Sequence, residues 1–221
     1  MFKIVLLRHG ESTWNKKGLF TGWTDVNLSP RGRQESQEAG KTLKAKKFIF
    51  NYAFTSELKR AQKTLDLVLR EMKLKGLVIK KDWRLNERHY GELQGKNKET
   101  IRKKYGDKQF NLWRRGYQAT PPGGESLQDV EKRVKAVWRG KIVPAIKRGR
   151  LIIIASSGNT LRALVKYLDK LSVTQVGELN IPYGIPLVYE FNERLKPTRH
   201  YYLGDNKKIK AVMAEVKKQG R

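Results

Sequence analysis

Residues 151–155, Leu-Ile-Ile-Ile-Ala, form an unbroken apolar run. A half-exposed strand alternates apolar and polar residues, whereas a strand that is apolar at every position must be covered on both faces. Helices have to lie above and below it, which points the chain to an α/β architecture with a largely parallel sheet. The rest of the chain reads in keeping. Lys3–Leu7 is predicted to be a short buried strand, and Ser29-Pro30 to start a helix reaching about Lys46, with Ser as cap and Pro in the first turn. Tyr52–Thr55 reads as a second strand. Ser56 is then expected to cap a helix through about Lys73, with Leu58, Ala61, Leu65, Leu69 and Met72 at helical spacing. Leu77–Lys80 reads as a third strand, and Ser126 as the cap of a long helix to about Lys147. Ser156-Ser157-Gly158-Asn159 is expected to turn from the apolar strand into a helix over Thr160–Leu168. Pro186–Phe191 and Thr198–Tyr202 read as a final strand pair, and Lys207–Lys217 as a short basic helix. The fold expected is a three-layer α/β sandwich around a mostly parallel sheet.

A chain of 221 residues that is 38% hydrophobic is globular, and its length favours a single domain over residues 1–221. Residues 82–122, irregular and rich in Arg, Trp, Tyr and Gly, read as a functional lid or insertion, and residues 206–221 as a basic tail. No apolar run approaches the ~18 residues of a membrane span. The apolar N-terminus is too short for a signal peptide. The absence of cysteine excludes disulfides and thiolate metal sites and makes the cytoplasm the simplest address. Lys and Arg number 48 against 21 Asp and Glu, a net charge of +27 that attracts polyanions of any kind. The cations are spread along the whole chain, with no zinc-finger spacing and no RNP-like strand, so any nucleic-acid binding is expected to be non-specific and no membrane partner is expected.

Open α/β sheets bind ligands outside the carboxyl ends of their strands. Two predicted strand ends carry suggestive turns, Arg8-His9-Gly10 and Ser157-Gly158-Asn159, and both should open onto one crevice. Arg8 offers a planar fork suited to phosphate oxygens, His9 a neutral nitrogen nucleophile, and Gly10 close backbone approach to an anion. Ser12, Asn15, Thr21 and Gly22 follow as neutral donors for a phosphate cradle. Arg114-Arg115, between Trp- and Gly-containing blocks, reads as an anion-binding pair. No His, Asp or Glu cluster has metal-ligand spacing.

Arg8-His9-Gly10-Glu11 resembles the signature of the histidine phosphatase superfamily. Further blocks are similar to its cofactor-dependent phosphoglycerate mutase branch, in order along the chain: Phe20-Thr21-Gly22-Trp23, Thr55-Ser56-Glu57-Leu58-Lys59-Arg60-Ala61, Leu85-Asn86-Glu87-Arg88-His89-Tyr90-Gly91, Trp113-Arg114-Arg115-Gly116, Gly158-Asn159-Thr160-Leu161-Arg162 and Leu179-Asn180-Ile181-Pro182. The resemblance implies the phosphoglycerate mutase-like fold and an isomerase of glycolysis and gluconeogenesis, interconverting 2- and 3-phosphoglycerate without a metal. It implies 2,3-bisphosphoglycerate as the priming phosphoryl donor and small phosphorylated sugar acids as partners. On the matching positions, His9 would carry the phosphoryl group, Arg8 and Arg60 would neutralise its oxygens, and Glu87 would be general acid and base. Tyr90, Lys98, Arg114 and Arg115 would hold the substrate's carboxylate and second phosphate, and Gly158 and Asn159 would donate from the start of the following helix. The tail over Ala211–Lys217 would exclude water from the phosphohistidine.

The chain departs from the family at Ser157, where the pattern has a second histidine that stabilises the transferring group. A serine brings one donor and no charge, so catalysis is expected to be impaired. Neither of the other two histidines, His89 and His200, is a convincing replacement. Alternatives are a bisphosphoglycerate phosphatase on the same scaffold and a catalytically crippled protein that binds phosphometabolites or polyanions. Pro121 to Ser126 joins two blocks that longer members separate by an insertion, which leaves homo-oligomerisation open.

Overall fold

The computed structural model describes residues 1–218. Six strands form one sheet in the order β3-β2-β4-β1-β5-β6. They are β1 (Phe2–Arg8), β2 (Tyr52–Thr55), β3 (Val78–Lys81), β4 (Ile152–Ser156), β5 (Leu187–Phe191) and β6 (Pro197–Tyr202). Strands β1 to β4 run parallel, and only β5 is reversed, pairing antiparallel with both β1 and β6. The helices are α1 (Thr13–Lys16), α2 (Pro30–Ala45), α3 (Lys59–Met72), α4 (Lys98–Arg115), α5 (Leu127–Val137), α6 (Val143–Lys147), α7 (Gly158–Asp169), α8 (Val173–Glu178) and α9 (Asn206–Lys218).

Strand β4 is buried at every residue, as its unbroken apolar run requires. Alternate residues of β1 and β4 feed two cores. Ile4, Leu6, Ile152 and Ile154 join Val130, Val134, Leu161 and Leu164 of α5 and α7 on one face. Val5, Leu7, Ile153 and Ala155 join Ala39, Leu43, Leu65 and Val68 of α2 and α3 on the other. Burial of each such aliphatic side chain contributes about 1.5–3 kcal/mol, which fixes the three layers.

Four local expectations change. Ser56 does not cap α3. Its hydroxyl accepts only the Leu58 N–H at 3.3 Å, and the helix begins at Lys59. Gly158 and Asn159 are not a turn before α7 but its first residues, with Ser157 at the N-cap making no side-chain cap bond. The long helix after Ser126 follows its expected path, but widens into a π turn over Trp138–Ile142. Pro144 lies just beyond it, and a proline ring cannot tolerate a regular turn below it. Residues 82–122 hold more regular structure than expected. Two 3₁₀ turns lead into α4, an 18-residue helix kinked at Gly106, where φ is 77°. Ile101, Phe110 and Trp113 from α4 close a small third core over Phe20, Tyr90 and Leu93. The kink interrupts the helical period, which hides this face in the sequence.

Candidate active site

Strand β1 delivers the His9 loop. Arg8 pairs in register with Ser156 of β4, and the His9 N–H donates to the Ser156 carbonyl at 2.9 Å. Arg8, Gly158 and Asn159 line one pocket, so both strand-end turns open onto the same crevice. The His9 ring is 2% exposed, and its tautomer follows from its partners. The Gly10 carbonyl can only accept, so Nδ1, 2.7 Å away, carries the proton. Arg60 Nε can only donate, so Nε2, 3.3 Å away, presents its lone pair. Burial, and then the charges of Arg60 and Arg8, hold the imidazole well below its usual pKa. The result is a neutral ring with the Nε2 lone pair against a guanidinium.

Arg60, on α3, is fixed by carbonyls rather than by a carboxylate. Nη1 donates to Thr24 O at 3.0 Å and Nη2 to Gly22 O at 2.7 Å. Burial pushes its pKa down to about 10, a measure of how little water it retains. Gly10 makes room for a second backbone. A Cβ there would lie 2.1 Å from Gly32 O, and a Cβ on Gly32 would lie 2.0 Å from Glu11 O. The two glycines let the start of α2 press against the His9 loop.

Arg8 donates Nη1 to Ile181 O at 2.6 Å and stacks 3.7 Å over the Tyr183 ring. Its Nε is buried and has no protein partner. A Cβ on Gly158 would sit 3.2 Å from that nitrogen, so the glycine makes room for the guanidinium. The Ser157 hydroxyl is fully buried and likewise without a partner. The buried Thr21 hydroxyl is a third such group. Buried polar groups are normally satisfied, so unpartnered donors at adjoining strand ends mark a place for an anion.

Glu87 reaches the site from the loop after β3. Its Oε1 accepts the Arg88 N–H at 2.8 Å and the Asn159 N–H at 3.0 Å, the second from the first turn of α7. Asn159 Nδ2 and Arg88 Nη2 each donate to the Tyr90 hydroxyl at 3.1 Å. Burial pushes the Tyr90 phenol up, but Arg88 and these hydrogen bonds outweigh it, and the net direction is down. Asn159 Oδ1 is held at 2.8 Å by Arg162, whose other nitrogen donates to Val176 O at 2.5 Å.

The pocket, about 90 Å³, is lined by Arg8, Asn15, Thr21, Gly22, Glu87, Tyr90, Lys98, Arg114, Arg115, Gly158, Asn159 and Arg162, with Tyr183 and Val216 among the rest. All the expected binding residues but Ser12 and Arg60 are therefore in one place, while His9, Arg60 and Ser157 are buried at its edge, beside the lining residues Arg8, Gly22 and Gly158, and do not line it themselves. Ser12 is spent elsewhere: its hydroxyl caps α1, accepting the Asn15 N–H at 3.1 Å and donating to Asn15 Oδ1 at 2.7 Å. That arrangement leaves the Asn15 amide nitrogen for the pocket. Lys98 starts α4 and the two arginines end it. Burial, then Arg114 and Arg8, push the Lys98 ammonium down to about 7. Burial and Arg114 lower Arg115 to about 10. Arg115 donates to Asn180 Oδ1 at 2.6 Å, and Arg114 to the Val216 carbonyl of α9 at 3.3 Å.

Sequence reasoning assigned no role to Arg162 or Tyr183. The signal for Arg162 was available: a lone arginine between Leu161 and Ala163 on a helix that is otherwise buried, three residues after Asn159. Tyr183 carries no local signal. The other histidines stand apart. His89 accepts the Gly91 N–H at 3.1 Å and packs edge-on to Trp23, and His200 on β6 pairs with Asp169 at 3.3 Å. Among the described residues no group of His, Asp and Glu is arranged to hold a metal ion, and no helix is long and apolar enough to cross a membrane.

Comparison with known proteins gives the family. The model of the histidine phosphatase superfamily (branch 1) matches residues 4–200. Similar solved structures include a mycobacterial glucosyl-3-phosphoglycerate phosphatase in complex with VO3, 25% identical over 93% of this chain and 99% of that one, TM-score 0.75. A protein from Bacillus stearothermophilus, YhfR, is 25% identical over 86% of this chain and 92% of its own, TM-score 0.76. The α-ribazole phosphatase from Shigella flexneri shares the fold at 24% identity, over 92% of this chain and 96% of its own, TM-score 0.74.

Proposed function

Because this chain belongs to the histidine phosphatase superfamily, we propose that it moves phosphoryl groups through a phosphohistidine at His9, on small phosphate esters that carry a second strong anion. The carrying observation is the charge of the pocket wall. Arg8, Lys98, Arg114, Arg115 and Arg162 line it against the single carboxylate of Glu87. One phosphate does not balance that field; a phosphorylated sugar acid or its bisphosphate does.

The residues divide the reaction between them. The Nε2 lone pair of His9 attacks phosphorus in line with the departing ester oxygen. The P–N bond forms, the P–O bond breaks, and Glu87 gives its proton to the oxygen that leaves. Arg8, Arg60 and the Ser157 hydroxyl receive the non-bridging oxygens. In the return step Glu87 takes the proton of an acceptor hydroxyl, the new P–O bond forms, and the P–N electron pair goes back to Nε2. With a sugar acid as acceptor the sum is interconversion of 2- and 3-phosphoglycerate, with 2,3-bisphosphoglycerate as primer. The position of Val216 on the pocket wall supports this reading, since α9 then keeps water from the phosphohistidine.

The second reading has water as acceptor and makes the protein a phosphatase. It is favoured by the similar structures, two of which are phosphatases by name. Single-turnover phosphorylation by 2,3-bisphosphoglycerate, followed by mass spectrometry of His9 and a chase with 3-phosphoglycerate or water, tests both. Transfer to the sugar acid faster than to water supports the mutase. Hydrolysis that outruns transfer supports the phosphatase. Absence of phosphohistidine rejects both.

A further inference from the structure

Helix α9 is joined to the nucleophile loop by an unbroken run of polar contacts that passes through α2. Glu215 of α9 accepts Nη1 and Nη2 of Arg31, each at 2.6 Å. The same guanidinium donates Nε to Glu35 Oε1 at 2.9 Å. Glu35 Oε2 accepts the backbone N–H of Glu11 at 2.8 Å, two residues past His9. Glu11 is itself clamped, its carboxylate by the Ser29 hydroxyl at 2.6 Å and its carbonyl by the Ser29 N–H at 2.9 Å. Arg31 and Glu35 stand one helical turn apart, so one planar fork spans both carboxylates. The backbone of Glu35 also packs against Gly184, whose N–H donates to the Arg8 carbonyl at 3.1 Å. None of Arg31, Glu35 and Glu215 lines the pocket or has a part in the chemistry above.

We infer that Arg31 and Glu35 are positioning residues that couple the seating of α9 to the geometry of the His9 loop. The inference rests on the phosphohistidine reading for its purpose and on the contact chain for its existence. Exposed ion pairs in general contribute little, but a bidentate fork is the exception. With α9 seated, Glu215 holds Arg31, Arg31 holds Glu35, and Glu35 holds the Glu11 amide. With α9 displaced, Arg31 is free to turn to solvent and the loop loses a fixed anchor. By linkage the effect is reciprocal: an anion that orders the loop favours the seated helix. The device confines a well-placed nucleophile to the covered state, which disfavours attack while the pocket is open to water.

The test is amide hydrogen exchange on the full chain, with inorganic phosphate as the probe ligand, in the parent, Glu215→Gln and Arg31→Lys. Lysine keeps the charge but cannot span two carboxylates. The expected result is exchange at the Glu11 amide faster by about two- to five-fold in both variants, in step with the amides of α9. Phosphate is expected to slow exchange further at both places in the parent. Faster exchange in α9 with an unchanged Glu11 amide overturns the coupling, as does no change in either. A parallel measurement of phosphohistidine formation is expected to show kcat lowered in both variants with little change in KM. Should no variant and no parent form phosphohistidine, the functional reading fails while the exchange data still decide the coupling.

Discussion

Arg60 Nε points at His9 Nε2 from 3.3 Å, so the nitrogen proposed to attack phosphorus faces a cation before any substrate arrives. The contact repels a proton from Nε2 and sets a donor beside the position a phosphoryl oxygen would take. Arg60→Met is expected to raise the His9 pKa toward 6.5, though not fully, because burial is the larger cause of its depression. Titration of the ring by NMR reads that shift. Phosphorylation of His9 should slow by about 10²–10³, the usual cost of a lost preorganised donor. An unmoved pKa would mean that Arg60 has no electrostatic hold on the ring.

Lys98 gives the site a pH dependence of definite sign. Burial, Arg114 and Arg8 hold its ammonium at about 7 in the empty pocket. An anion in the pocket favours the charged form and raises that value, so binding above pH 7 takes up a proton. Affinity for sulfate, which stays dianionic throughout, should be greatest below pH 7 and decline as pH rises from 7 toward the pKa of the bound state. Calorimetry at pH 8 in buffers of different ionisation enthalpy measures the uptake directly. Lys98→Met should abolish most of it, and uptake that survives the substitution would assign it to another group.

Gly10→Ala tests the meeting of two backbones. The added methyl would stand 2.1 Å from Gly32 O, which is backbone and cannot rotate away. Overpacking of this kind costs about 1–3 kcal/mol, and more where the neighbour is rigid. Chemical denaturation should show at least that loss. Gly140→Ala, with nothing within 4 Å of its new Cβ and a helical backbone, is the control of opposite sign and should raise stability by about 0.5–1 kcal/mol.

How much of this was legible in the sequence depends on the reach of each signal. The apolar run of β4 and the Arg8-His9-Gly10 turn are local, and both led to the right strand ends. Lys98, Arg114 and Arg115 were placed in the site through resemblance, and the folded chain gathers them with Arg8. Tyr183 could not be found this way, because its place under Arg8 depends on a loop that follows α8 by several residues and returns across the sheet end. Ser12 and Ser56 misled for a shared reason. Hydroxyls near helix starts have backbone donors close by, and only the geometry decides whether a residue caps, as Ser12 does, or fails to, as Ser56 does. The need for Gly10 to make room for Gly32 is a long-range contact that no local pattern carries.

Ser157 is the position where one substitution separates scaffold from chemistry. Its hydroxyl is fully buried, has no protein partner, and does not cap the helix it precedes. Such a group is either an idle cost of folding or a donor awaiting an oxygen. Ser157→Ala distinguishes the two. A donor removed from the transferring phosphoryl group should slow phosphorylation of His9 by about tenfold, the worth of one neutral hydrogen bond. An idle hydroxyl removed should leave the rate unchanged and raise stability by about 1–3 kcal/mol, since an unsatisfied buried group is lost. Ser157→His then asks what the position can support. An imidazole beside His9, neutral in the empty pocket, still offers an N–H donor and gains charge as the phosphoryl group arrives, so phosphorylation should quicken by about 10²–10³. The same variant should lose stability as pH falls. A buried histidine among Arg8, Arg60 and His9 has its folded pKa depressed, so the unfolded chain binds the extra proton first below pH ~6.5. A faster rate with that acid sensitivity would place the new ring in the site. A sharply lower melting temperature at neutral pH without a rate gain would mean that the strand end has no room for it.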